Sequence, residues 1–283
     1  MHTLTVIIPT RNRHALLREA IHSCLADLPL GVEVMVSDNA STDATPTLAK
    51  EFPGLRYVRR AELLPMADHW NQCVTECNSL FVKILCDDDW VLPGALQREL
   101  SFLEADPSLA AVASARWETN QQREKLKVKG PSRDLTLQGE PLFARMLVEE
   151  NLLGPPSAVM FRREKFRGFP ASYDYAADWA AWILLTEKGD PVKFLAEPGC
   201  GFRLHDSNLT NRYVEEGTDF VEVMALRREC LKRMPGAMPM AGWLYYAGIF
   251  SYRVLRRVAR LVLRGENPWN FLKRAFREGR KPL

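Results

Sequence analysis

Along the first hundred residues, short apolar runs alternate with segments whose apolar positions recur every three or four residues. The runs are Leu4–Ile8, Glu33–Ser37, Arg56–Arg59 and Phe81–Cys86. The helical segments are Ala15–Leu25, one reaching about Glu51 behind Ser41, Thr42 and Asp43 as N-caps, Ala67–Cys77, and one from Pro93 to about Ala105. Strand and helix in alternation predict an α/β fold with a mostly parallel sheet flanked by helices. From about Leu109 the rhythm changes, with strands at Ala110–Ala115, Ser157–Phe161 and Val192–Ala196 and helices near Pro141–Glu149 and Ala176–Lys188. The polar stretch Glu118–Arg133 reads as an exposed loop or insertion, the most mobile part of the chain. Beyond it the tail reads as helices over Val214–Met234, Pro239–Leu263 and Pro268–Arg277.

Composition adds an asymmetry to this pattern. At 283 residues and 47% apolar the chain can bury a large core. Its net charge of +3 conceals an acidic body and a basic tail: residues 218–283 hold fourteen Lys and Arg against five Asp and Glu. The opening MHTLTVIIPT has no basic leader or cleavage site, and no apolar run approaches the ~18 residues of a spanning helix. A cytoplasmic protein is expected. Cysteines 24, 73, 77, 86, 200 and 230 form no paired CxxC sets and read as reduced core thiols. Nucleic acid is a poor partner for an acidic body with no reading motif.

Three polar clusters stand where strands end: Pro9-Thr10-Arg11-Asn12, Asp38-Asn39 and Asp87-Asp88-Asp89. In open α/β sheets such ends face one crevice, which is where ligands bind. Adjacent carboxylates repel one another, so three in a row ask for a hard divalent cation, Mg²⁺ or Mn²⁺, with a phosphate completing its shell. A solvated turn ahead of the Pro93 helix is the competing reading. Asp38 can accept hydrogen bonds from a ribose or a base. There is neither a GxGxxG nor a GxxxxGK[ST], so phosphate falls to metal and side chains.

Taken in order and at these intervals, TVIIPTRNR, EVMVSDNASTDAT, HWNQC and LCDDDWVLPGAL resemble the nucleotide-sugar half of family 2 glycosyltransferases with the GT-A fold. The resemblance is strong over about residues 3–105. It implies an inverting, metal-dependent enzyme that moves a sugar from a nucleoside diphosphate, most simply a UDP-sugar, to an acceptor hydroxyl. It also implies a Rossmann-like GT-A sheet with a nucleotide-sugar-binding half at 1–108, an acceptor half at 109–213 and a C-terminal helical extension at 214–283. On that analogy Pro9, Thr10, Arg11, Asn12, Asp38 and Asn39 line the base and ribose pocket. The aspartates are the DxD-type motif. Asp87-x-Asp89 fits the formula, but counting back from Pro93 puts Asp88 at the metal position and Asp87 near the ribose. Arg11 stands where an aromatic residue is common, and Asn78 where glycine is.

The second half matches more loosely. SYDYAADWAAW places Asp178 at a helix start, at the position of the base that deprotonates the acceptor. GFRLHDSNLT offers Arg203 as a donor-binding residue and His205 as a metal ligand beside Asp88 and Asp89. In the tail, Arg253, Arg256, Arg257, Arg260 and Arg264 gather on one helical face after an aromatic segment. Two readings stay open for it: a peripheral contact with the inner face of an anionic membrane, or a helix packed on the body. The acceptor expected is a surface polysaccharide, a lipopolysaccharide or a lipid-linked glycan. Metal-dependent phosphoryl or nucleotidyl transfer, and a non-catalytic nucleotide-sugar- or membrane-binding module, are the alternatives.

Overall fold

A computed structural model describes residues 2–149, 151–205 and 208–233, with scattered positions from 248 to 273. The first half runs β1 (Leu4–Thr10), α1 (His14–Leu25), β2 (Val32–Asp38), α2 (Leu48–Glu51), β3 (Arg56–Arg59), α3 (Met66–Thr75), β4 (Phe81–Ile84), β5 (Trp90–Val91) and α4 (Ala95–Ala105). The second half adds β6 (Ala111–Thr119), β7 (Lys125–Lys129), β8 (Leu135–Leu137), α5 (Gly139–Glu149), β9 (Val159–Arg162), α6 (Ala177–Thr186), β10 (Val192–Arg203), α7 (Leu209–Glu216) and α8 (Thr218–Arg233). The strands form one sheet in the order β3-β2-β1-β4-β9-β6-β10-β5, with β7 on β6 and β8 on β10. Strands β3, β2, β1 and β4 are parallel. β9 enters antiparallel to β4 and β6, and β6 and β10 are parallel again.

All seven residues of β1 are buried, as a central parallel strand covered on both faces requires. Its side chains divide by the two-residue period. Leu4, Val6 and Ile8 pack with Leu17 and Ile21 of α1 and Leu96 and Leu100 of α4. Ile7 joins Cys73, Met146, Trp182 and Ile183 from α3, α5 and α6 on the opposite face. α8 covers that second layer with Val223, Leu226, Cys230 and Leu231. It also grips the chain ahead of α6: the Glu222 carboxylate accepts the amides of Asp174 and Ala176, each at 3.0 Å.

Several elements differ from the sequence expectation. Glu118–Arg133 is not simply a loop: β6 runs to Thr119 and returns as β7, pairing from Arg116↔Lys129 to Thr119↔Lys125. All five β7 residues are exposed, so its Lys-Leu-Lys-Val-Lys alternation has no buried face to announce a strand. β10 continues past Ala196 to Arg203 through register shifts around Pro198, where proline and two glycines interrupt the strand signal. One of these is Gly201, where a Cβ would collide with the Trp90 ring. Ser41 and Thr42 do not cap a helix; a 3-10 turn at Thr45–Thr47 precedes the single turn of α2, and Asp43 accepts the Thr45 amide at 2.9 Å. The helix expected over Val214–Met234 breaks at Gly217, φ +78, into α7 and α8. The helices expected over Pro239–Leu263 and Pro268–Arg277 fall mostly outside the described residues, and Arg253, Arg256, Arg257, Arg260 and Arg264 entirely so. No helix among the described residues is long and apolar enough to cross a membrane. None of the six cysteines is in a disulfide.

Candidate active site

Parallel pairing sets the carboxyl ends of β1, β2 and β4 side by side: Thr10 pairs with Asp38, and Ile7 with Ile84. The polar clusters that follow are then stitched together. The Asn39 amide donates to the Thr10 carbonyl at 2.9 Å, and the Thr10 hydroxyl donates to Asp87 Oδ2 at 2.7 Å. Asn12 adopts the left-handed conformation, φ +53, which asparagine tolerates. Its Oδ1 accepts the Thr42 amide at 2.7 Å, while its own amide donates to the Ser41 hydroxyl at 2.9 Å.

That turn settles which arginine meets the aspartates. Arg11 is exposed. Arg13 turns inward, and its Nη1 donates to Asp87 Oδ1 at 2.9 Å and to Asp88 Oδ2 at 2.7 Å. His205 Nε2 meets the same Asp88 oxygen at 3.0 Å. Asp89 is held differently, accepting the Ser157 hydroxyl at 2.6 Å and the Arg203 amide at 3.0 Å on its two oxygens. Burial pushes the Asp87 carboxyl up to about 6 against the pull of Arg13. It opposes ionisation of Asp88 as well, but the hydrogen bonds from His205 and Arg13 outweigh it and hold that carboxyl below its ordinary value. Burial and the adjacent Asp88 push Asp89 well up.

Two of these aspartates could hold a hard divalent cation. Cys86, Asp88 and Asp89 bring one ligand atom each within 4.8 Å of one another. Carboxylate oxygen suits Mg²⁺ or Mn²⁺, whereas thiolate does not, and burial pushes the Cys86 thiol well above its usual range, so it stays protonated. Asp88 is the aspartate whose ionised form the protein stabilises.

The other predicted donor residues are placed as follows. Asp38 is fully buried, with Oδ1 accepting the Ser41 amide at 2.8 Å and Oδ2 accepting the Tyr57 hydroxyl at 2.9 Å. The Asn39 side-chain amide pairs with both backbone groups of Leu64 at 2.9 Å, fixing the loop ahead of α3. Pro9 is buried within β1. Arg203 spreads its guanidinium over the Asp88 carbonyl at 3.0 Å, the Gln121 carbonyl at 3.0 Å and Glu19 at 2.6 Å. It thereby ties the tip of the β6–β7 hairpin to the aspartate turn.

Asp178 lies apart from this network, as the second residue of α6. Its Oδ1 accepts the Trp179 amide and its Oδ2 the Asn151 side-chain amide, each at 2.7 Å. Burial pushes its carboxyl up to about 6 against those bonds and the nearby Arg116. The segment from Asn151 to Ser157 runs from the carboxylate of Asp178 to that of Asp89, so one short stretch of chain touches both. Arg13, Asn151 and Ser157 were not among the residues anticipated. Arg13 carried a signal, since it is the second cation in the loop that follows the first strand; Asn151 and Ser157 carried none.

A family model described as glycosyl transferase family 2 matches residues 5–169. The Mycobacterium tuberculosis protein described as "Uncharacterized protein MT1568" is 30% identical over 248 residues, covering 81% of this chain and 73% of its own. Among solved structures, S. aureus TarS 1–349 in complex with UDP-GlcNAc superposes with a TM-score of 0.65 at 16% identity over 82% of this chain. This chain spans 66% of that one, just under two thirds. The mannosyltransferase PcManGT from Pyrobaculum calidifontis, in complex with GDP-Man and Mn²⁺, superposes with a TM-score of 0.59 at 18% identity, covering 98% of this chain and 86% of its own. At these identities the structural likeness shows the fold, a mixed sheet flanked by helices.

Proposed function

The chain belongs to glycosyl transferase family 2, and from that premise we propose that it transfers a sugar from a nucleoside-diphosphate sugar, a UDP-sugar, to an acceptor hydroxyl with inversion at the anomeric carbon. Pro9, Thr10, Asn12, Asp38 and Asn39 form the base and ribose end of the donor site, with Arg11 free at its rim to lie over a base. Asp87 belongs to the ribose side of that pocket, and Arg203 is a further donor-binding residue. Asp88, with His205 and Asp89 beside it, would hold Mn²⁺ or Mg²⁺. When bound, such an ion supplies positive charge against a diphosphate and the leaving group. Arg13 adds a second, fixed cation at the same place, which stabilises charge that builds on the departing nucleotide.

Asp178 takes the proton from the acceptor hydroxyl. An inverting transfer needs one base on the far side of the sugar from the departing diphosphate. Its separation from the aspartate cluster by the Asn151–Ser157 segment supports that role. A carboxyl near 6 is ionised at neutral pH yet more basic than an ordinary aspartate. The acceptor is a glycan of a surface polysaccharide, a lipopolysaccharide or a lipid carrier.

The observation that carries this reading is the convergence of Thr10, Arg13 and His205 on Asp87 and Asp88. The test is a thermal-shift panel of UDP, GDP, dTDP and CDP with and without Mn²⁺. One diphosphate should raise the melting temperature only with metal, by mass action on the folded state, and Asp88→Ala should abolish the rise. Absence of any shift at millimolar ligand in well-folded protein would sink the donor assignment.

A further inference from the structure

Among the described residues, Arg116 in β6 is the cation whose charge acts on Asp178, and the proposed transfer gives it no ligand. Its guanidinium makes no hydrogen bond or ion pair with any described residue, and its Nε is buried without a partner. It lies over the Phe202 ring at 5.8 Å and fills the space beside Gly154, where a Cβ would stand 2.8 Å from Nη1. Gly154 closes the turn that begins at Asn151, its amide donating to the Asn151 carbonyl at 3.1 Å, and its carbonyl accepts Trp182 Nε1 at 2.9 Å. The side chain of the same Asn151 donates to Asp178, while its Oδ1 is buried with no partner. One turn therefore carries the free guanidinium at one end and the carboxylate of Asp178 at the other. None of the contacts of Arg116 reach Thr10, Arg13 or the three aspartates.

Arg116 is half-buried and only its Nε is enclosed without an acceptor; such an unmatched buried donor is costly, and an oxyanion bound across the guanidinium offsets that cost. The planar fork matches phosphate and carboxylate bidentately. We propose, resting on the glycosyl-transfer reading, that Arg116 recognises an oxyanion on the acceptor, a phosphate or a carboxylate borne close to the hydroxyl that is glycosylated. The acceptor class is thereby narrowed from glycans in general to anionic ones.

The test keeps the protein saturated with Mn²⁺ and the nucleoside diphosphate that stabilises it, so that the donor pocket is filled. Glucose 1-phosphate, glucuronate and methyl glucoside are then titrated by calorimetry. At least one oxyanion should bind more tightly than methyl glucoside. Arg116→Gln should weaken it roughly ten- to hundredfold and leave methyl glucoside and the nucleotide within about twofold. Which probe wins distinguishes phosphate from carboxylate. Arg116→Lys keeps the charge without the fork and should fall between, which serves if the glutamine variant does not fold. The proposal is overturned if neither oxyanion outbinds methyl glucoside, or if Arg116→Gln loses affinity for the nucleotide instead, which would assign the guanidinium to the donor. Failure of every nucleotide to stabilise the wild-type protein would overturn the transfer reading itself, and is seen before any acceptor probe is added.

Discussion

Around Asp87, Asp88 and Asp89 every carboxylate has donors of its own from the protein: Thr10 and Arg13, Arg13 and His205, Ser157 and the Arg203 amide. Below them the buried Lys83 ammonium meets Glu99 at 2.8 Å with both side chains fully enclosed, and Ser114 takes the other Glu99 oxygen at 2.6 Å. Around Asp178 the bookkeeping is left open. One amide and one backbone N–H serve the carboxylate, while Arg116 Nε and Asn151 Oδ1 are buried without partners. Buried polar groups are rarely left unmatched unless something else completes them. The three aspartates are thus matched within the protein, whereas the surroundings of Asp178 keep two unmatched buried atoms.

The largest break of this contrast is Asp178→Asn. If Asp178 is the base, transfer should fall about 10²- to 10⁴-fold, while the nucleotide-dependent thermal shift stays as in the wild type. Retention of transfer within about tenfold would place the base elsewhere. Transfer by the wild type should rise with pH up to about 6, where the carboxyl loses its proton, and level off above. Stability runs the other way. The folded carboxyl keeps its proton to about 6 and the unfolded one only to about 3.9, so between those values the folded state binds more protons and stability falls as pH rises. Across that window the wild type should lose up to about 3 kcal/mol of stability in urea unfolding, a pH dependence that Asp178→Asn should lack.

At the aspartate end the same kind of substitution should act on stability and spare chemistry. Lys83→Met strands the Glu99 carboxylate in the interior, and breaking one partner of a buried pair costs about 3–5 kcal/mol. Lys83→Met with Glu99→Leu should recover most of that loss. Urea unfolding reads both, and the metal-dependent thermal shift should survive in the double variant. A single variant as stable as the wild type would show that the pair is not buried in solution.

The two ends were unequally legible in the sequence. Strands β1, β2 and β4 are enclosed on both faces, so their apolar runs stand out and the polar residues that end them point to the crevice without further knowledge. The inward turn of Arg13 could not be read, because it hangs on one positive φ at Asn12 while Arg11 is an equal candidate by spacing. Lys83 was visible inside an apolar run, but its partner lies on α4, beyond any local period. The surroundings of Asp178 come from farther still: Asn151 is 27 residues away, and Arg116 sits on a different strand. Local periodicity finds elements and their ends, whereas a site assembled from three distant segments has no period to find. β7 shows the complementary failure, since a strand with both faces in water loses the buried alternation that makes strands readable.

The smallest effect asks whether the two ends are mechanically joined. Ser157 donates to Asp89 and accepts the Cys86 amide at 3.0 Å. Asn151, at the other end of the same segment, donates to Asp178. Removing either side chain orphans a buried group, so Ser157→Ala and Asn151→Ala should each cost about 1–3 kcal/mol. If the segment is only a covalent link, their effects add within about 0.5 kcal/mol in a double-mutant cycle on urea unfolding. Gly154, in the left-handed region at φ +94, and the Trp182 bond to its carbonyl pin the middle of the segment to α6. A pinned middle stops strain at one end from reaching the other, so additivity is the expected result. An interaction energy beyond about 1 kcal/mol would mean that the aspartate end and the Asp178 end shift together, and that filling the donor pocket changes the acceptor side before any acceptor arrives.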